Sequence, residues 1–162
     1  MNTKHVIGTS LAIVIITSAS LLVCSRVSRN PRAVFERLVI KPIPESVRFI
    51  DQREHATMDS TFWVLHFQIS KSDFQTLLSR QHFAPIDEGE EFRRWDQTSK
   101  RYIQTQKEDF LGYWKQRIQY STKLEVNFAK DSQIFALKEI PGRKYLFFDS
   151  NTTDAIFVAE AH

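Results

Sequence analysis

Histidines stand at positions 5, 55, 66, 82 and 162. No two are four residues apart, the spacing that puts two imidazoles on one face of a helix, so no zinc site is encoded locally. His66 is the most promising of them. It lies in TFWVLHFQI, whose alternation reads as a strand, and there it can face a pocket with an Asp or Glu from a neighbouring strand. Such a pairing would suit acid–base work, so a hydrolytic or metal-assisted enzyme using His66 or His82 with nearby carboxylates is one reading of the chain. The reading preferred is a partly buried histidine that hydrogen-bonds a neighbour, because the sequence specifies no partner for it.

Other groups of reactive side chains also have plain explanations. Asp149, Asn151 and Thr153 carry the alternating oxygens that begin a calcium loop, but the glycine and distal glutamate that complete it are missing. SNTTD therefore reads as a hairpin turn; its NTT is also a glycosylation triplet. Asp87, Glu88, Glu90 and Glu91 crowd one loop, whereas paired acid–base carboxylates must sit across a substrate. They suit the start of a helix, where negative charge favours the dipole. No nucleophile-elbow pattern is present. Trp95, Tyr102 and Trp114, set among bases in RRW, KRY and GYWKQR, make with His66 a candidate ligand face by stacking and charge. The same aromatics fall at core spacing.

Composition narrows the field. The chain has 162 residues, 42% hydrophobic and 25% charged, enough for one domain with a real core. It has 13 Phe but only four Gly, and these are scattered at 8, 89, 112 and 142. A phosphate-cradling loop needs several glycines together, so no nucleotide cofactor is expected. A net charge of +3 from 22 bases and 19 acids does not point to nucleic acid. The single cysteine excludes a disulfide scaffold.

That cysteine ends the longest apolar run. Val6 to Cys24 is 19 residues without a charge, preceded by Lys4. A helix of that length spans about 28 Å, close to the hydrocarbon thickness of a bilayer. Three outcomes are open. Ser18 and Ser20 supply the small-x-small pattern of signal cleavage. Leu21, three residues before Cys24, resembles a bacterial lipoprotein leader with Cys24 as the lipidation point, although Val23 stands where such leaders carry a small residue. An uncleaved single-span anchor needs only the length. Arg26, Arg29 and Arg32 beyond the span would favour a cytoplasmic domain; the short basic flank before it is ordinary signal geometry, and export is preferred.

The remainder predicts its own elements. Asn30-Pro31 reads as a cap and first position of a short helix, and KPIPES breaks regular structure. Val47–Glu54 and Thr61–Ile69 read as strands, and Ser70 with Asp73 as a capping box before a helix over Lys71–Gln81. Phe92, Trp95, Ser99, Tyr102 and Ile103 recur near helical spacing, as do Phe110, Trp114 and Ile118. LEVNF, IFAL, YLFFD and AIFVAEA read as strands, with Pro141-Gly142 and SNTTD as turns. The expected fold is α+β: an N-terminal transmembrane or signal helix, then an antiparallel sheet with two or three helices packed on one face. Residues 1–25 form the leader, 26–46 a juxtamembrane helix and Pro-containing linker, and 47–162 a single domain.

An apolar leader, the Pro44-Glu45-Ser46-Val47 lead-in, an FQIS strand end running into a Ser-Asp-Phe helix, and a C-terminal hairpin together resemble small uncharacterised bacterial exported proteins of the membrane-anchored or lipoprotein type. The resemblance covers general organisation. The expected function is a binding or interaction module held to the membrane by its N-terminal segment, with its soluble domain outside the cytoplasm, meeting an envelope protein or ligand; no cofactor or metal is expected, and an enzyme is not favoured. The enzymatic reading above is one alternative, and an inhibitor or immunity-like partner, marked by an exposed aromatic patch, is another.

Overall fold

The Asn30-Pro31 pair forms the cap that its chemistry predicts. In the computed structural model, which describes residues 30–86, 92–96, 98–99, 101–137 and 143–161, the Asn30 side-chain oxygen accepts from the Arg32 N–H at 3.0 Å and opens helix α1, Pro31–Leu38. Val34 and Phe35 of this helix, and Val39 and Ile40 just beyond, are buried. Phe35 meets Phe49 and Phe67 edge-on, with ring centroids 5.5 and 5.0 Å apart. The folded unit therefore begins before Val47: the segment expected to be a juxtamembrane helix and linker belongs, from Asn30 on, to the core. The leader and Cys24 lie outside the described residues, among which no helix is long and apolar enough to cross a membrane.

Strands β1, Arg48–Ala56, and β2, Thr61–Gln68, pair as an antiparallel hairpin with a bulge between Phe49 and Asp51. Helix α2 covers Lys71–Gln81 and β3 Phe83–Pro85. After β4, Phe92–Asp96, and β5, Arg101–Thr105, comes α3, Lys107–Thr122. Strands β6, Gln133–Leu137, β7, Arg143–Phe148, and β8, Asp154–Ala161, finish the chain. Six strands form one antiparallel sheet in the order β1-β2-β8-β7-β6-β3, and β4 with β5 makes a separate hairpin. The edges are blunted by charge and the bulge on β1, and by the shortness and Pro85 of β3.

The cap of α2 works through a third residue. The Ser70 hydroxyl accepts from the Asp73 N–H at 3.2 Å, but the Asp73 carboxylate accepts from the Ser46 hydroxyl at 2.5 Å and the Ser46 N–H at 3.3 Å. The Ser46 hydroxyl in turn accepts from the Ser70 N–H at 3.0 Å. Ser46 thus relays the second half of the capping box and fastens the KPIPES segment to the helix. Ser46→Ala is expected to lower stability by about 1–2 kcal/mol, read as a lower urea midpoint with unchanged slope. A midpoint equal to wild type would mean that the relay contributes nothing.

The helices are divided between the two sheet faces, which corrects the expectation of a single covered face. Leu65, Phe67, Phe148, Phe157 and their neighbours pack against α1 and α2. The alternate residues Phe62, Val64, Phe147, Ile156 and Val158 pack under Phe110, Trp114 and Ile118 of α3. The cause is legible in β8, whose residues from Ala155 to Glu160 are all buried. A central strand apolar on both sides requires a cover on each. The phenylalanines fill both layers, for example Phe74 stacked on Phe148 at 3.8 Å.

One charged pair is built into the α3 layer. Arg117 donates to the Glu160 carboxylate at 2.6 Å and lies over the Phe62 ring, 5.6 Å from its centroid. Glu160 is only 9% exposed, whereas Arg117 is 37% exposed. An arginine left alone can hydrate; the acid cannot. Arg117→Met is accordingly expected to cost about 2 kcal/mol, below the fully buried range because of its exposure. Glu160→Met should cost less, and the double variant should recover most of the loss. Equal costs for the two single variants in thermal unfolding would contradict this asymmetry.

Two elements depart from their expected form. Residues 92–105 are a hairpin and not a helix: Trp95 and Tyr102, seven residues apart, are cross-strand partners. Aromatic and β-branched residues on either side of a Thr-Ser turn outweigh the coincidental helical spacing. LEVNF, expected to be a strand, forms none and joins no ladder. Val126 is buried, with Leu124 and Phe128 partly so, because the segment lies across the α3-side core and not beside a strand. Pro141-Gly142 falls outside the described residues.

Candidate functional site

On β2, Phe62 and Val64 are sealed under α3, while His66, next on the same face, keeps 21% of its side chain exposed. Its register partner on β8 is Ile156, and Asp154 opens β8 two residues earlier. The β7–β8 turn contributes Asp149 and Thr152. The chain after α3 contributes Glu125, Asn127 and Phe128. Together they bound a cleft of about 450 Å³, with Phe147 and Ile156 in its floor.

His66 Nε2 stands 4.0 Å from Asp154 Oδ1, longer than a hydrogen bond. That oxygen is shielded from solvent and has no hydrogen-bond partner among the described residues. Asp149 is engaged differently. Its Oδ1 accepts from the Asn151 N–H at 2.8 Å and its Oδ2 from the Thr152 hydroxyl at 3.0 Å. The Thr152 hydroxyl also accepts from the Asp154 N–H at 3.3 Å. SNTTD is therefore a turn held by its own side chains, with Thr153 at φ 62°. Its oxygens serve the backbone, and no cluster of three metal-ligating side chains occurs among the described residues.

The hydrogen bond from Asn151, chiefly, and those from Thr152 hold the Asp149 carboxyl below its ordinary 3.8. A depressed folded-state value contributes stability that is fully present above the unfolded value and is lost as pH falls through the folded one. The turn should therefore stay closed at neutral and mildly acidic pH and loosen only below the ordinary carboxylate range. Hydrogen exchange at the Asn151 amide should accelerate over that acid interval in wild type and lose this step in Asp149→Ala. An Asn151 amide that opens at mildly acidic pH would contradict the assignment.

The other expected site residues are dispersed. Trp114 is 1% exposed, its ring parallel to Phe62 at 6.3 Å, so it is core and offers no face to a ligand. Trp95 and Tyr102 are backbone register partners in the β4–β5 hairpin. His82 is exposed at the end of α2 in the left-handed conformation, φ 56°, where it serves as the cap. Asp87, Glu88, Glu90 and Glu91 lie outside the described residues. What the sequence did not assign to His66 is its setting of Asp154, Glu125 and Asn127; the β2–β8 register that assembles them joins the second strand to the last.

A second recess, of about 500 Å³, opens beside α2 and β3, lined by Leu78, Phe83, Ile86 and Phe92, with Lys107 its one charged side chain among the described residues. Its other polar lining residues are Gln75, Ser132 and Gln133, and unlike the His66 cleft it has no carboxylate or imidazole among its described lining residues. Comparisons with protein-family models, curated proteins and solved structures gave no match.

Proposed function

We propose that the chain is a membrane-tethered binding module whose ligand is held in the His66–Asp154 cleft, with the domain displayed outside the cytoplasm at the cell envelope. The observation that carries this reading is the cleft's construction, an open recess with hydrogen-bonding groups at its rim over an apolar floor. Its hydroxyls favour holding over attack. Thr152 is tied to Asp149, and Ser132 is 2% exposed, so neither is offered beside His66 as an activated nucleophile. The tether rests on the uncharged run Val6–Cys24. Five residues separate that run from the Asn30 cap, and five residues reach about 17 Å at most, which would hold the domain close to the bilayer. Screening a small-molecule library of mixed charge by NMR should give hits that move Ala129 and Ile156 and are lost in Ala129→Trp, which fills the recess. Hits confined to other surfaces would sink the proposal.

A second reading is supported by the His66–Asp154 approach itself: an acid–base pair at a cleft, as a hydrolytic enzyme would use. Turnover of an ester or amide panel that disappears in His66→Ala would favour it. An inhibitor-like partner finds less support. Ile50 on β1, Met58 in the β1–β2 turn and Tyr120 on α3 are exposed large apolar side chains that lie on separate elements.

A further inference from the structure

The chemistry of the cleft narrows its ligand, an inference that rests on the binding reading above. Apart from His66, the charged side chains among its described lining residues are all acids: Glu125, Asp149 and Asp154. No lysine or arginine is among them. Lys115 of α3 donates to Asn127 Oδ1 at 2.9 Å and occupies that acceptor. Asp154 Oδ1 is independent of this charge count, because it is removed from solvent yet met by no donor among the described residues. The Asp154 side chain as a whole is 36% exposed, so an N–H donor entering the cleft can reach the carboxylate and supply the partner that Oδ1 lacks.

The floor has a different character. Phe128 and Phe147 lie with ring centroids 4.5 Å apart and a tilt of 37°, beside Ile156. Such a surface suits the methylene stem of an amphipathic cation, and aromatic faces also attract the charged head. The volume of about 450 Å³ is within the range of small-molecule sites. A phosphate or carboxylate ligand would meet like charge at Glu125, Asp149 and Asp154, with no lysine or arginine among the described lining residues to offset it.

We infer that the cleft takes an organic cation, a primary ammonium or guanidinium head set between Asp154 and Glu125, with Asp149 contributing its charge from the turn, and its aliphatic stem on Phe128 and Phe147. The head can belong to a free amine or to the side chain of a basic amino acid.

The full chain in neutral detergent, methyl-labelled at Ala, Ile and Thr, would be titrated with butylamine, N-acetyl-lysine amide and N-acetyl-arginine amide. Pentanol and butyrate serve as neutral and anionic counterparts. The cations should shift Ala129, Thr152 and Ile156 saturably, and Glu125→Gln and Asp154→Asn should each weaken them by about tenfold or more. Glu125 is exposed, so its variant keeps the test valid if Asp154→Asn unfolds. Equal affinity for butylamine and the amides would identify a free amine as sufficient; binding of the amides alone would identify a basic side chain. Saturable binding of pentanol or butyrate without the cations would overturn the cation and leave the binding module standing. Cation shifts insensitive to both variants would also overturn it. Silence of all three methyls toward every probe would overturn both.

Discussion

A chain cut to begin at Val47 is expected to be unfolded, and one cut to begin at residue 25 to be folded and soluble. The difference lies in α1 and the residues after it. Val34, Phe35, Val39 and Ile40 are each no more than 3% exposed. At about 1.5–3 kcal/mol for each buried large apolar side chain, their loss removes on the order of 6–12 kcal/mol, as much as an entire domain's usual stability. Two further losses act in the same direction. Ser46 would no longer relay the cap of α2, and Lys144, whose ammonium donates to the Leu38 carbonyl at 3.4 Å, would lose its acceptor. Burial already holds that lysine below its ordinary value. Circular dichroism and cooperative urea unfolding of the two truncated chains provide the comparison. A cooperative transition in the chain starting at Val47 would show that α1 is an accessory, and an insoluble chain from residue 25 would count against the leader as a separable membrane element.

How much of this was legible depended on whether the signal was local. The α2 range, its Ser70 cap and the Asn30 cap are short-range chemistry, and each appears as its residues predict. The β4–β5 hairpin was obscured because three- and four-residue spacings among Phe92, Trp95, Ser99 and Tyr102 mimic a helix, while the decisive contact pairs residues seven apart. The second covered face was present in the sequence as the unbroken apolar run of β8, but which helix covers it depends on long-range topology. His66 illustrates both limits. Its strand and its partial exposure followed from alternation; its neighbours come from residues 125–132 and 149–156, which only the sheet order brings together.

Trp114 separates a packing role from a binding role by the largest single-residue effect. It sits within 6.5 Å, centroid to centroid, of Phe62, Phe110, Tyr113, Tyr145 and Phe147. Trp114→Ala should therefore cost about 3–5 kcal/mol and lower the melting temperature by roughly 10 °C or more. Trp114→Phe should cost well under half as much, because two terms oppose each other. Some aromatic area is lost, but the indole Nε1–H, buried without a hydrogen-bond partner among the described residues, is lost with it. Removing an unsatisfied donor returns about 1–3 kcal/mol. A ligand-face tryptophan would give the reverse pattern, with little change in melting temperature in either variant and binding lost in both. Thermal unfolding of the two variants distinguishes the cases, and a destabilisation by Trp114→Phe as large as that by Trp114→Ala would mean that the indole nitrogen is bonded and that its hydrogen bond, more than the surrounding rings, holds the α3 layer to the sheet.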